Sequence, residues 1–66
     1  MTLDQLYVEI RAIAGKNPCA FTAYRDIEGK AYFDAWISHL GKSAYFDTPQ
    51  ELVYHMKKVQ AAWEAQ

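Results

Sequence analysis

The residues able to do chemistry in this 66-residue chain are few and scattered. His39 and His55 are its two histidines, and with Asp34 or Glu51 they would be the material for a metal site. Glu51 and His55 lie one helical turn apart. A single pair of that kind falls short of the three or four convergent ligands a zinc site uses, so no metal is expected. Cys19 follows Pro18 and has no basic neighbour closer than Lys16, so it reads as a buried inert thiol rather than a nucleophile. Three dispersed glycines make no phosphate loop, and no Ser–His–Asp or Cys–His arrangement is supported. Asp26 and Glu28 flank a turn and are expected to be solvated, not paired for acid–base work. The chain therefore reads as non-catalytic, without cofactor or metal.

What the sequence has in excess is aromatic. Three Phe, five Tyr and two Trp make 15% of the residues, against four Leu, four Ile and three Val. Where those rings fall depends on the elements that carry them. Thr2-Leu3-Asp4-Gln5 is a capping box, and Leu3, Leu6, Tyr7, Ile10, Ile13 and Ala14 recur at helical spacing. Gly15 and Pro18 end that helix at about residue 14. The period changes at Cys19, and Cys19 to Asp26 reads as a strand. Gly29 supplies a turn, and Lys30 to Leu40 alternates as a second strand. After Gly41, Lys42 to Asp47 reads as a third. Thr48-Pro49-Gln50-Glu51 opens the last helix, with Thr48 as N-cap, Pro49 at the first helical position and Glu51 closing a second box. Leu52, Met56, Val59 and Trp63 form its inward stripe, with Val53 and Ala62 beside it. Tyr54, Lys57, Lys58, Ala61 and Glu64 face outward.

One α-β-β-β-α domain over residues 1–66 follows: an α+β two-layer sandwich, a three-stranded antiparallel meander with both helices on one face. Ala31, Phe33, Ala35 and Ile37 are assigned to the helix side of the second strand. Phe21, Phe46, Leu6, Ile10, Ile13, Leu52, Met56 and Val59 are expected in the same core, with Trp63 and Tyr7 contributing. On the first strand, Ala20, Thr22 and Tyr24 are only marginally more polar than Cys19, Phe21 and Ala23, so its faces are less sharply sorted.

That assignment leaves Tyr24, Tyr32, Trp36 and Tyr45 on the open face, with Thr22, Asp34, Ser38 and Ser43 between them. A patch of roughly 400 Å² of such rings exceeds what a monomer usually leaves exposed, and Tyr and Trp are the types enriched at binding hot spots. Phe, which lacks a polar handle, falls only on the core side. Tyr24, Tyr32, Asp34, Trp36 and Tyr45 are therefore the expected contact surface for another protein, in an adaptor, regulator or inhibitor. Homodimerisation through the same face is the alternative, as is stacking of single-stranded nucleic acid. Cross-strand rings also support a small sheet without any partner, by about 0.2–1 kcal/mol per pair.

Charge narrows these readings. The formal net charge is −1, which gives no dominant footprint for nucleic acid or an anionic membrane. Arg25, Lys30 and Lys42 are set against Asp26, Glu28, Asp34 and Asp47. No apolar run approaches the roughly 20 residues a membrane helix needs, and Met1 opens directly on a helix pattern rather than a leader. A lone cysteine fits a reducing cytoplasm.

The element order resembles that of the double-stranded RNA-binding domain. In that family a run of lysines at the start of the second helix meets phosphates. The matching stretch here, Thr48-Pro49-Gln50-Glu51-Leu52, holds no basic residue and one acid, and Lys57 and Lys58 come about two turns later. The resemblance is one of topology and does not carry the activity over.

Overall fold

Two threonines decide where the helices begin. A computed structural model describes residues 1–66 and gives the order α1 (Leu3–Ala14), β1 (Cys19–Arg25), β2 (Ala31–Ile37), β3 (Gly41–Lys42) and α2 (Pro49–Glu64), an α+β domain. At α1, Thr2 Oγ1 accepts the Gln5 N–H at 3.1 Å while Gln5 Oε1 accepts the Thr2 N–H at 2.7 Å, so the capping box is complete. At α2 only the first half forms: Thr48 Oγ1 accepts the Glu51 N–H at 3.2 Å, and Glu51 makes no return bond. Gly15, at φ 63°, stops α1, and the Arg11 guanidinium folds back to donate to the carbonyls of Gly15 and Asn17.

The sheet has the order β1-β2-β3, antiparallel throughout. Cys19 pairs with Ile37 and Arg25 with Ala31, giving an unbroken seven-residue ladder between β1 and β2. The third strand is shorter than its alternation suggests. Trp36 pairs with Lys42, yet Phe33 pairs with Phe46 as an isolated bridge, so the third strand holds one more residue than β2 between those pairs. That extra residue is a β-bulge. Ser43 donates its N–H to Ala35 O at 2.8 Å, and its side chain does what its carbonyl would do in a regular ladder: Ser43 Oγ accepts the Ala35 N–H at 3.0 Å. Ala44 and Tyr45 together then oppose Asp34. The bulge turns Tyr45 outward and returns Phe46 to the helix side, while Ser43 is engaged within the sheet rather than on the open face expected for it.

Both helices cover one face. Leu6, Ile10 and Ala14 of α1, Leu52, Val53 and Met56 of α2, and Ala35 and Ile37 of β2 are the buried apolar core. Ile13, Cys19, Phe21, Phe33, Leu40 and Phe46 pack at its margin, which settles the faces of β1: Cys19 and Phe21 inward, Ala20, Thr22 and Tyr24 outward. Ala35, with no side chain beyond Cβ, lets the helices approach the middle of the sheet.

Several residues depart from their expected burial: Val59, expected in the core, is only half-buried on the wall of an open groove, and Ala62 beside it is exposed. Trp63, in the last turn of α2, is 47% exposed, with its ring edge-on to His39 at 4.6 Å. Tyr7 and Leu3 are also more than half exposed. At about 100° per residue they fall on the flank of α1 away from α2, and Glu9 faces α2, bonding Lys57 at 3.3 Å. Asp34 departs the other way, on the open face of the sheet yet only 3% exposed.

Candidate functional site

The register of the first hairpin assembles the open face. Tyr24 stands directly across from Tyr32, Thr22 from Asp34, and Ala20 from Trp36. On the other side of β2, Lys42 pairs with Trp36. Tyr45, turned outward by the bulge, completes the group: its ring meets that of Tyr24 edge-on, with centroids 5.5 Å apart. Tyr24, Tyr32 and Tyr45 line a shallow apolar concavity of about 300 Å³. Tyr24 and Trp36 are each 41% exposed and Tyr45 59%, whereas Tyr32 is half-buried. The structure thus sets the five residues singled out in the sequence, Tyr24, Tyr32, Asp34, Trp36 and Tyr45, on one face of the sheet, with Trp36 outside the tyrosine concavity.

Asp34 differs from the rings around it. Its carboxylate is buried, and Oδ2 is 3.4 Å from Lys42 Nζ, the cation of the site. Lys42 remains largely exposed and lies 5.6 Å from the centre of the Tyr45 ring. Its ammonium is held above the usual lysine range, first by the charge Tyr45 acquires at alkaline pH, then by the Asp34 hydrogen bond and charge, with a smaller effect from Tyr24. Lys42 is a site residue that sequence reasoning missed. The signal was its place two residues after the turn, opposite Trp36, but strict alternation without the bulge hides it.

The hairpin turn orients Tyr32. Asp26 Oδ1 accepts the N–H groups of Glu28 and Lys30, each at 2.9 Å, and Asp26 Oδ2 accepts the Tyr32 hydroxyl at 3.2 Å. The Asp26 N–H donates to Lys30 O, and Gly29 takes φ 89° to let the chain return. Asp26 is therefore half-buried and engaged, not solvated as expected. The Lys30 N–H holds its carboxyl below the usual aspartate range; partial burial opposes this, and the Tyr32 hydroxyl with the Glu28 and Gly29 amides adds to it. Lys30 lies 5.3 Å from the centre of the Tyr32 ring and pairs with Asp47 at 3.7 Å. Each cation beside the rings is thus already matched by a carboxylate.

The histidines are not brought together. His39 shares a 2.7 Å hydrogen bond with Gln60 Oε1, and Gln60 Nε2 in turn donates to Glu64. His55 stacks at 5.0 Å on Phe46. No group of three or more His, Cys, Asp or Glu side chains converges as metal ligands. Cys19 is half-buried at the core margin. A wide-open groove of about 650 Å³ runs along α2 past Phe46, Tyr54 and His55 on the helix side. Gln50, Glu51, Lys58 and Val59 line it as well, so its wall mixes charged and apolar side chains of one helix, whereas the cradle on the open face is built from tyrosines of the sheet. No helix is long and apolar enough to cross a membrane. No family model, curated protein or solved structure matches the chain.

Proposed function

We propose that this domain is a non-catalytic protein-binding module, acting as an adaptor, regulator or inhibitor, and that it docks through Tyr24, Tyr32, Trp36 and Tyr45 around the Asp34–Lys42 pair. One observation carries the reading: the exposed Tyr and Trp rings of the sheet gather on its open face, while all three Phe pack at the core margin. Rings of this kind lose little side-chain freedom on binding and combine apolar area with a hydrogen-bonding tip. The fitting ligand is a protein segment that places an apolar side chain in the tyrosine cradle and an acceptor oxygen on the exposed side of Lys42. Neutralisation of Lys30 by Asp47 and of Lys42 by Asp34 favours such a ligand over a phosphate backbone.

The test is affinity capture from the native host with wild-type, Trp36→Ala, Tyr45→Ala and Tyr54→Ala baits. The first two substitutions should release the captured protein, weakening it by about 2 kcal/mol or more if the rings are hot spots. Tyr54, exposed on α2, should be dispensable. Equal capture by all four baits refutes the site. Salt-sensitive binding of oligonucleotides, lost in Trp36→Ala, would turn the reading toward single-stranded nucleic acid.

A further inference from the structure

The two edges of the sheet are built differently. The third strand is broken by the Ser43–Tyr45 bulge and carries Lys42, both devices that discourage strand pairing. The other edge, β1, has neither. Its sequence Cys-Ala-Phe-Thr-Ala-Tyr-Arg contains no proline, lysine, acid or bulge, and five of its seven residues are exposed.

The hydrogen-bond phase of β1 is fixed at both ends. The Pro18 carbonyl accepts from Ser38 and the Asp26 N–H donates to Lys30, so even-numbered residues point their backbone groups toward β2. In an antiparallel ladder the alternate residues then point theirs away. The N–H and C=O groups of Cys19, Phe21, Ala23 and Arg25 consequently face outward, and none has a bond elsewhere in the chain.

We propose that this edge pairs with β1 of a second copy, antiparallel about a twofold axis at Thr22, joining two sheets into one of six strands. This register follows from the phase. Outward residues must meet outward residues, and centring on Thr22 uses all seven positions: Cys19 opposite Arg25, Phe21 opposite Ala23, and their symmetry mates. Four such pairs, each exchanging two bonds, give up to about eight hydrogen bonds.

The side chains agree with that register. Ala20 falls opposite Tyr24 and Phe21 opposite Ala23, each a small residue across from a large one, and Thr22 meets Thr22. Phe21 of the second copy arrives at the mouth of a concavity of about 440 Å³ lined by Met1, Leu3, Ala23, Ala31 and Phe33, with Arg25 at its rim. Leu3, exposed on the flank of α1 and lining the same concavity, comes to lie near Phe21 of the second copy. At each end the register sets Cys19 of one copy opposite Arg25 of the other, so no like charges face each other along the ladder.

Area sets the strength. Seven residues span about 23 Å at ~3.3 Å each, and the two shorter dimensions of the molecule are 19 and 17 Å. The footprint is near 400 Å² per copy, below the roughly 800 Å² per partner of a standard stable complex, so the dimer is reversible. The second copy lies beside the open face rather than over it: of the docking rings only Tyr24, on β1, meets it, and Tyr32, Trp36 and Tyr45 stay free.

Sedimentation of the full chain from about 10 µM to about 1 mM should show its mass rise from 7.6 kDa toward twice that value. Ala23→Pro should hold it at the monomer mass, because the proline removes an N–H that has no partner within the chain. Trp36→Ala should leave the rise intact. In a Cys19→Ser background, Thr22→Cys should oxidise to a symmetric disulfide, since a non-hydrogen-bonded pair sets Cα atoms about 4.5 Å apart. Ala20→Cys, which faces Tyr24 of the second copy, should cross-link at least about tenfold more slowly. Should Ala23→Pro fail to fold, the cross-linking comparison decides alone. A constant monomer mass, equal cross-linking at residues 20 and 22, or dissociation by Trp36→Ala would each overturn the edge pairing.

Discussion

Replacing Ser43 by alanine probes the point on which the third strand depends. The Ser43 hydroxyl accepts the Ala35 N–H at 3.0 Å and donates to Ala44 O at 2.8 Å, and Ala35 is 1% exposed in the middle of the sheet. Alanine removes one hydrogen bond and leaves a buried backbone donor without a partner. That combination costs about 1–3 kcal/mol. Ser43 is only half-buried, so water reaches part of the gap and the lower part of the range applies, about 1–2 kcal/mol. A 66-residue domain has about 3–10 kcal/mol of stability in total. The loss is therefore a sizeable share, and at ~4–8 °C per kcal/mol it lowers Tm by about 4–16 °C. Urea unfolding followed by far-UV circular dichroism measures the free energy, and amide exchange at Ala35 localises it. Ser43→Thr keeps the hydroxyl and should stay close to wild type. If Ser43→Ala changes stability by less than about 0.5 kcal/mol, or if Ser43→Thr is equally damaging, the hydroxyl is not the ladder's acceptor and the account of the bulge is wrong.

Three further outcomes follow from the packing and the charges. The Asp26 carboxyl is held below its ordinary range in the fold, so the stability it supplies is present above the unfolded aspartate pKa and lost as pH falls through the lowered value; Asp26→Asn should flatten that acid dependence, and Tyr32 signals in NMR should move with it. Leu52→Ala, at a fully buried core position, should cost about 2–5 kcal/mol and leave little or no cooperative unfolding transition in urea. Thr48→Ala should lower stability by about 0.5–2 kcal/mol through the lost N-cap, visible as a shift of the urea midpoint with unchanged slope.

Both helices were legible because their ends are chemically marked. Thr2 with Gln5, Gly15 before Pro18, and Thr48 before Pro49 each state a boundary in local terms, and the structure begins both helices and ends α1 at those residues. The first two strands were legible through alternation, which Phe33, Ala35 and Ile37 keep on one side. The third was not. A bulge adds one residue without changing residue types, so period-two counting puts Tyr45 and Phe46 on their observed faces but misassigns Ser43 and passes over Lys42. Trp63 and Tyr7 show the other limit: an aromatic residue on an amphipathic stripe signals which way it faces, while its burial depends on whether anything lies beneath. The depth of Asp34 is of the same kind, since it depends on the packing of neighbouring segments, which no local pattern records.

The unlike edges of the sheet bear on stoichiometry and solubility. A sheet with a single edge fit for pairing can accept one neighbour and is then closed, whereas a sheet with two such edges can add neighbours without limit. The bulge beside Ser43 thus acts as a chain terminator for assembly. Deleting Ala44 would straighten the third strand into a regular ladder with Asp34 facing Tyr45, leaving Lys42 as the remaining guard of that edge. With Lys42 replaced as well, a domain that stops at two copies would become the repeating unit of a filament.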